Sequence, residues 1–227
     1  MFEVTARAPT DRAGGSQMVQ AAPHGRYAMT GRGERDEPLT LVVMGVSGVG
    51  KTSVAAELVE ATGWVFAEGD DFHPQANRDK MAAGHALDDD DRWPWLRRLA
   101  DWIGEREAAG QGAVVTCSAL KRAYRELLRD GHPSVRFVHL TASDELVAER
   151  IGARQGHYMP PSLLESQLRT LEPLQPEEPG VAVDTSGDQA AVARAALDAL
   201  GLDVPEHARA ATTTAPAPRP RAAGDQP

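Results

Sequence analysis

Between residues 39 and 202 the chain alternates short apolar runs with longer stretches in which apolar residues return every third or fourth position. The runs at 39–44, 64–67, 113–117, 136–140 and 181–183 are dominated by Val, Leu, Phe and Ala, and predict buried strands. Val54, Leu58 and Ala61 fall on helical spacing that stops at Gly63, as do Trp95, Leu96, Leu99, Trp102 and Ile103, and then Tyr124, Leu127 and Leu128. Ser143 can cap a helix bearing Leu146, Val147 and Ile151, and Leu163, Leu164, Gln167 and Leu168 mark a shorter one. A last helix, capped by Asp188 and closed by Gly201, carries Val192, Ala196, Leu197 and Leu200. Such alternation predicts an α/β fold with a five-stranded parallel sheet flanked by helices. The polar stretch 72–91 reads as an irregular insertion.

Composition sets the boundaries. Residues 1–38 have no sustained apolar period and residues 204–227 are rich in Thr, Ala and Pro, so both read as disordered extensions of one domain over 39–203. A formal charge of −9 argues against a nucleic-acid or anionic-membrane surface, so an anionic ligand must meet locally placed cations. No apolar stretch approaches the roughly 20 residues of a membrane span, and no signal-peptide core opens the chain. The single Cys117 forms no internal disulfide, which suits a reducing cytoplasm. It shows no metal-ligand spacing with the histidines, which leaves Mg²⁺ carried by a nucleotide as the expected metal. Of the 24 Lys and Arg residues only Lys51, Lys80 and Lys121 are lysine. A chain that otherwise uses arginine marks these as places where a compact point charge is needed.

The chemistry is densest at Gly45-Val46-Ser47-Gly48-Val49-Gly50-Lys51-Thr52, which satisfies the phosphate-binding pattern G-x-x-x-x-G-K-[ST] between the first predicted strand and the first helix. That setting is the one the P-loop NTPase fold requires. Glycines let backbone N–H groups turn onto phosphate oxygens at a helix N-terminus; Lys51 adds charge on the β- and γ-phosphates, and Thr52 offers a hydroxyl to Mg²⁺. A phosphate loop alone fits motors, switches and kinases. No Asn-Lys-x-Asp run is present to read guanine, and no apolar strand ends in the Asp-Glu pair of an ATPase motor. What remains suits phosphoryl transfer from ATP to a small hydroxyl compound. Asp70, after the second strand, accepts the attacking hydroxyl's proton or holds a Mg²⁺-bound water, and Arg150 and Arg154 belong to a lid at about 150–166 that excludes water. Lys51, Asp70 and Arg154 are thus the expected catalytic set.

Further motifs make the reading specific. Gly69-Asp70-Asp71-Phe72-His73-Pro74, followed by Asn77, Lys80-Met81, Gly84, Leu87, Asp89, Asp91-Arg92 and Pro94-Trp95-Leu96, resembles the gluconokinase family. So do Cys117-Ser118-Ala119-Leu120-Lys121 with Tyr124-Arg125, Gly156-His157-Tyr158-Met159-Pro160, and Ser166-Gln167 with Leu171-Glu172-Pro173. The resemblance implies transfer of the γ-phosphoryl of ATP to the 6-hydroxyl of D-gluconate, on a fold similar to shikimate and nucleoside-monophosphate kinases, in a homodimer. An open-chain sugar acid calls for cations and bidentate polar groups, a mixture that His73, Asn77, Lys80, Arg92 and Lys121 supply. Ser118 and Lys121, just past the third strand, stand where substrate and phosphates meet. His73 either binds a substrate hydroxyl or fixes the His-Pro turn, and Asp91 is expected to orient Arg92. The chain departs from the family pattern at Ala86, where proline is usual, and at Tyr158. Two rival readings stand beside this one: a kinase for another hydroxy acid such as shikimate, and a regulatory protein that holds ATP without transferring it.

Overall fold

The structure, a computed structural model, describes residues 38–153 and 161–202. Residues 1–37, 154–160 and 203–227 lie outside the described residues, which takes in the expected extensions at 1–38 and 204–227 except for Pro38. Five strands, β1 (Thr40–Met44), β2 (Val65–Ala67), β3 (Ala113–Thr116), β4 (Val135–Thr141) and β5 (Gly180–Asp184), form one parallel sheet in the order β2-β3-β1-β4-β5. β1 lies between β3 and β4, with Val42 level with Val115 on one side and Phe137 on the other. Every residue of β1 and of β3 is buried, so both faces of the sheet are covered, as its parallel strands require.

The covering helices are α1 (Lys51–Thr62), α3 (Asp89–Ala108), α4 (Arg122–Arg129) and α7 (Gln189–Leu200). α1 packs against α7, and α3 against α4. α1 stops where the sequence predicts, because Gly63 adopts a left-handed conformation (φ 71°) and its N–H caps the Val59 carbonyl. Trp95, Leu96, Leu99 and Ile103 form the buried stripe of α3, which confirms it as a packed face. α5 (Asp144–Ala153) begins at Ser143, whose Oγ accepts from Leu146 N–H, and α6 (Pro161–Thr170) follows the undescribed segment.

The stretch 72–91 is more ordered than its polarity suggests. A 3-10 turn at Gly69–Phe72 leads to α2 (Gln75–Ala82), and α3 starts inside the acidic run. α2 has no apolar stripe and buries only Asn77, which is why periodicity misses it. The acidic run is a helix start: Asp88 Oδ1 accepts from Asp91 N–H, and Asp91 Oδ2 accepts from Asp88 N–H in return. Lys80 donates to the same pair, at 2.9 Å to Asp88 and also to Asp91. Asp91 therefore turns to Lys80 and Asp88 rather than to Arg92, whose Nε donates to the Leu87 carbonyl at 3.3 Å.

One buried ion pair ties α4 to the chain before β5. Arg125, fully buried, meets Glu178 through two bonds of 2.6 and 2.8 Å and donates to the carbonyls of Ala119, Glu172 and Pro173. Removing one partner leaves an uncompensated buried charge, so Arg125→Met should cost about 3–5 kcal/mol in urea unfolding, and Arg125→Met with Glu178→Met should recover most of it. Nearby on β4, His139 is buried with an unpaired Nε2, and burial lowers its pKa to about 4. The unfolded chain binds this proton at about pH 6.5, so the neutral ring's contribution is present above that pH and lost as pH falls towards 4. His139→Leu should remove up to about 1.4 kcal/mol per pH unit from the slope of stability over that window, measured by urea unfolding at successive pH values.

Candidate active site

The phosphate loop joins the carboxyl end of β1 to the N-terminus of α1, where backbone donors lack helical partners. Gly45 has φ 133°, and a Cβ there would lie 2.7 Å from the Leu140 carbonyl oxygen, so only glycine lets the loop leave the sheet this way. Lys51 Nζ curls over the loop, donating to the carbonyls of Gly45 (3.1 Å) and Val46 (3.0 Å). Gly48, Val49 and Gly50 complete the concavity around it, with Gly50 left-handed as the helix cap. The Ser47 N–H donates to Gln167 Oε1 on α6 at 2.8 Å. The turn after β3 is tied to the loop, because Gly45 N–H donates to the Ser118 carbonyl at 3.3 Å.

On the β2 side, Glu68-Gly69-Asp70 passes over the end of β3. A Cβ on Gly69 would sit 1.9 Å from the Thr116 carbonyl oxygen, so the backbones touch there. That contact splits the flanking carboxylates. Glu68 faces the loop, accepting from Thr52 Oγ1 at 2.9 Å and from Thr116 Oγ1. Asp70 projects into solvent with its Oδ1 3.8 Å from His73 Nε2. The His73 ring stacks on Trp95 with centroids 4.2 Å apart. Burial, aided by Arg92 and Arg78, lowers its pKa to about 4, so it is neutral at physiological pH. Glu68 is the residue sequence reasoning missed; its signal is its place at the carboxyl end of β2, two residues before Asp70.

The expected acceptor ligands separate into two groups. Arg92 and Lys121 line one cavity of about 450 Å³, together with Asp89, Tyr124 and Thr170. In it Lys121 Nζ bonds both Asp89 oxygens (2.7 and 2.9 Å), and Tyr124 Oη donates to Asp89 at 2.6 Å. These two donors, Lys121 first, hold the Asp89 carboxyl below its usual range. Asn77 and Lys80 lie elsewhere, fastening α2 to the start of α3: Asn77 Nδ2 donates to the Asp91 carbonyl at 2.8 Å, and Lys80 is spent on Asp88 and Asp91. His73 shares this packing, 3.3 Å from Asn77 Nδ2.

On the opposite flank, a second cavity of about 210 Å³ is lined by Gly48, Gly50, Ser53, Arg150, Thr185 and Gln189, among others. Arg150 braces it, donating to the Val49 carbonyl (3.1 Å) and to Thr185 Oγ1 (3.0 Å) and carbonyl (2.5 Å). Arg154 lies outside the described residues, as does the motif at 156–160. Among the described residues no group of three or more His, Cys, Asp or Glu side chains could hold a metal by itself. Cys117 is buried, and burial raises its thiol to about 12, which removes it as a nucleophile.

Residues 41–174 match a protein-family model described as an AAA domain. The chain is 53% identical over 147 residues to the gluconokinase of Gluconobacter oxydans (strain 621H), covering 65% of this chain and 83% of that one. A solved gluconokinase from Sinorhizobium meliloti 1021 is similar at 49% identity and a TM-score of 0.65, over 73% of this chain and 93% of that one. An unliganded sugar kinase from Janibacter sp. HTCC2649 matches at 48% identity and a TM-score of 0.70, over 73% and 95%.

The Gly69 contact gives the site a checkable dependency. Gly69→Ala must push β2 away from β3 at backbone atoms, so it should destabilise the fold by about 3 kcal/mol in urea unfolding, with the slope against urea unchanged.

Proposed function

The chain belongs to the gluconokinase family, and we propose that it transfers the γ-phosphoryl group of ATP to the 6-hydroxyl of D-gluconate, giving 6-phospho-D-gluconate and ADP. The observation that carries the reading is the arrangement along the carboxyl edge of the sheet. A phosphate loop stands at the centre, an open cavity in which Arg92 and Lys121 stand among the carboxylates of Asp88, Asp89 and Asp90 on the β3 side, and a smaller cavity beside β5. We assign the nucleoside to the β5-side cavity, the phosphates to the loop with Lys51, and the acceptor's carboxylate to Arg92 and Lys121. His73 and Asn77 then shape the acceptor site from beneath, and Lys80 acts through the start of α3.

The residues around Thr52 fit Mg²⁺. Thr52 Oγ1 uses its proton on Glu68 and keeps lone pairs for a cation, and the Glu68 carboxylate beside it is a hard oxygen donor, direct or through water. When bound, the ion neutralises charge on the β- and γ-phosphates. Asp70, exposed beyond Gly69, accepts the proton of the 6-hydroxyl as that oxygen attacks the γ-phosphorus and the bond to the β–γ bridging oxygen breaks. Lys51 follows the charge onto the leaving ADP by exchanging the carbonyls of Gly45 and Val46 for phosphate oxygens. Among the described residues no helix is long and apolar enough to cross a membrane. We propose in addition a cytoplasmic homodimer whose kinase domain spans 39–203.

ADP release should be stimulated by gluconate with Mg-ATP, not by shikimate, and abolished by chelating the metal. Lys51→Ala should lower kcat about a hundredfold or more with the fold retained. Asp70→Asn should lower kcat at least a hundredfold while the KM for ATP moves only a few-fold. Stimulation by no acceptor would replace this reading with the regulatory one.

A further inference from the structure

Three consecutive residues of the phosphate loop are gripped from outside by the helices that flank segment 154–160. Arg150 of α5 holds the Val49 carbonyl, and Ile151 packs so closely that a Cβ on Gly48 would meet its Cγ1 at 2.6 Å. From α6, Gln167 takes Ser47 with both ends of its amide: Oε1 accepts from Ser47 N–H at 2.8 Å, and Nε2 donates to Ser47 Oγ at 3.1 Å. These partners are 120 residues apart in the chain, so the contact belongs to the tertiary fold.

The pairing has a chemical direction. A serine hydroxyl carries one donor and two acceptor lone pairs. Because the Gln167 amide N–H₂ can only donate, it occupies a lone pair of Ser47 Oγ and leaves the hydroxyl proton for an acceptor elsewhere. Among the described residues that proton has no protein acceptor. The backbone N–H of Ser47, by contrast, is consumed. Lys51 Nζ lies on the carbonyls of Gly45 and Val46, immediately before Ser47, so the ammonium and the directed hydroxyl belong to the same short stretch of loop.

We propose that Gln167 is a positioning residue acting through Ser47: it holds the Ser47 peptide outward and sets the hydroxyl as a donor to the terminal phosphoryl group of a bound nucleoside triphosphate. The inference rests on the kinase reading above. It predicts discrimination between tri- and diphosphate that a residue merely docking α6 would not confer.

The test is calorimetry on the full chain with a non-hydrolysable Mg-ATP analogue and with Mg-ADP, alongside kcat with gluconate. Gln167→Ala should weaken the triphosphate analogue about tenfold and leave Mg-ADP within about twofold, with kcat reduced about tenfold. Ser47→Ala should do the same, and the double variant should be no worse than either single one. Should Gln167→Ala lower the Tm by more than a few degrees, Gln167→Met, which keeps the side-chain length, carries the same expectation. Equal losses for ATP analogue and ADP, additive losses in the double variant, or an unchanged Gln167→Ala would overturn the proposal. A wild-type protein that prefers triphosphate through Gln167 yet shows no gluconate-dependent turnover would overturn the acceptor assignment and uphold this inference.

Discussion

A parallel sheet covered on both faces offers chemistry one broad outlet, the edge where its strands end and its helices begin. Here that constraint is sharpened by the strand order, which puts β1 in the middle and the ends of β2 and β3 together on one side of it. The phosphate loop therefore has two flanks of different character. One is bounded by Arg150 and Thr185, and the other by the Glu68–Asp70 turn and the Ser118–Lys121 turn. The Gly69–Thr116 contact brings the backbones of the second flank together, with Glu68 facing the loop on one side of it and Asp70 projecting into solvent on the other.

Charge is managed locally in a chain that is acidic as a whole. Lys80 and Lys121 each meet carboxylates at the start of α3, but in different settings. Lys80 reinforces a helix cap at the surface, where water screens the pair and its contribution is small. Lys121 stands in the open cavity, where its ammonium bonds the Asp89 carboxylate, itself held by the Tyr124 hydroxyl. The buried Arg125–Glu178 pair differs from both. Water is excluded from it, and breaking it exposes the full cost of a stranded charge.

Much was legible from the chain alone. The five strands, the phosphate loop, the caps at Ser143 and Asp188 and the stops at Gly63 and Gly201 are encoded within a few residues of where they act, by apolar period, glycine conformation and side-chain capping. The motif series that resembles gluconokinases is likewise linear information, and the similarity to relatives bears it out. α2 escaped because a helix polar on all sides has no period to read.

What the tertiary structure alone decided is which side chains meet. That Lys80 and Asn77 support the start of α3 while Lys121 and Arg92 share a cavity follows from how α2 and α3 pack, and residue type is the same in either role. Glu68 reaching Thr52, and Gln167 reaching Ser47, depend on separations closed only by the fold. The sequence by itself determined the elements, the phosphate loop and the class of chemistry, since each is written in local spacing. Pairings across the sheet edge were decided by packing, because hydrogen bonds and ion pairs depend on distances in space that no local pattern encodes.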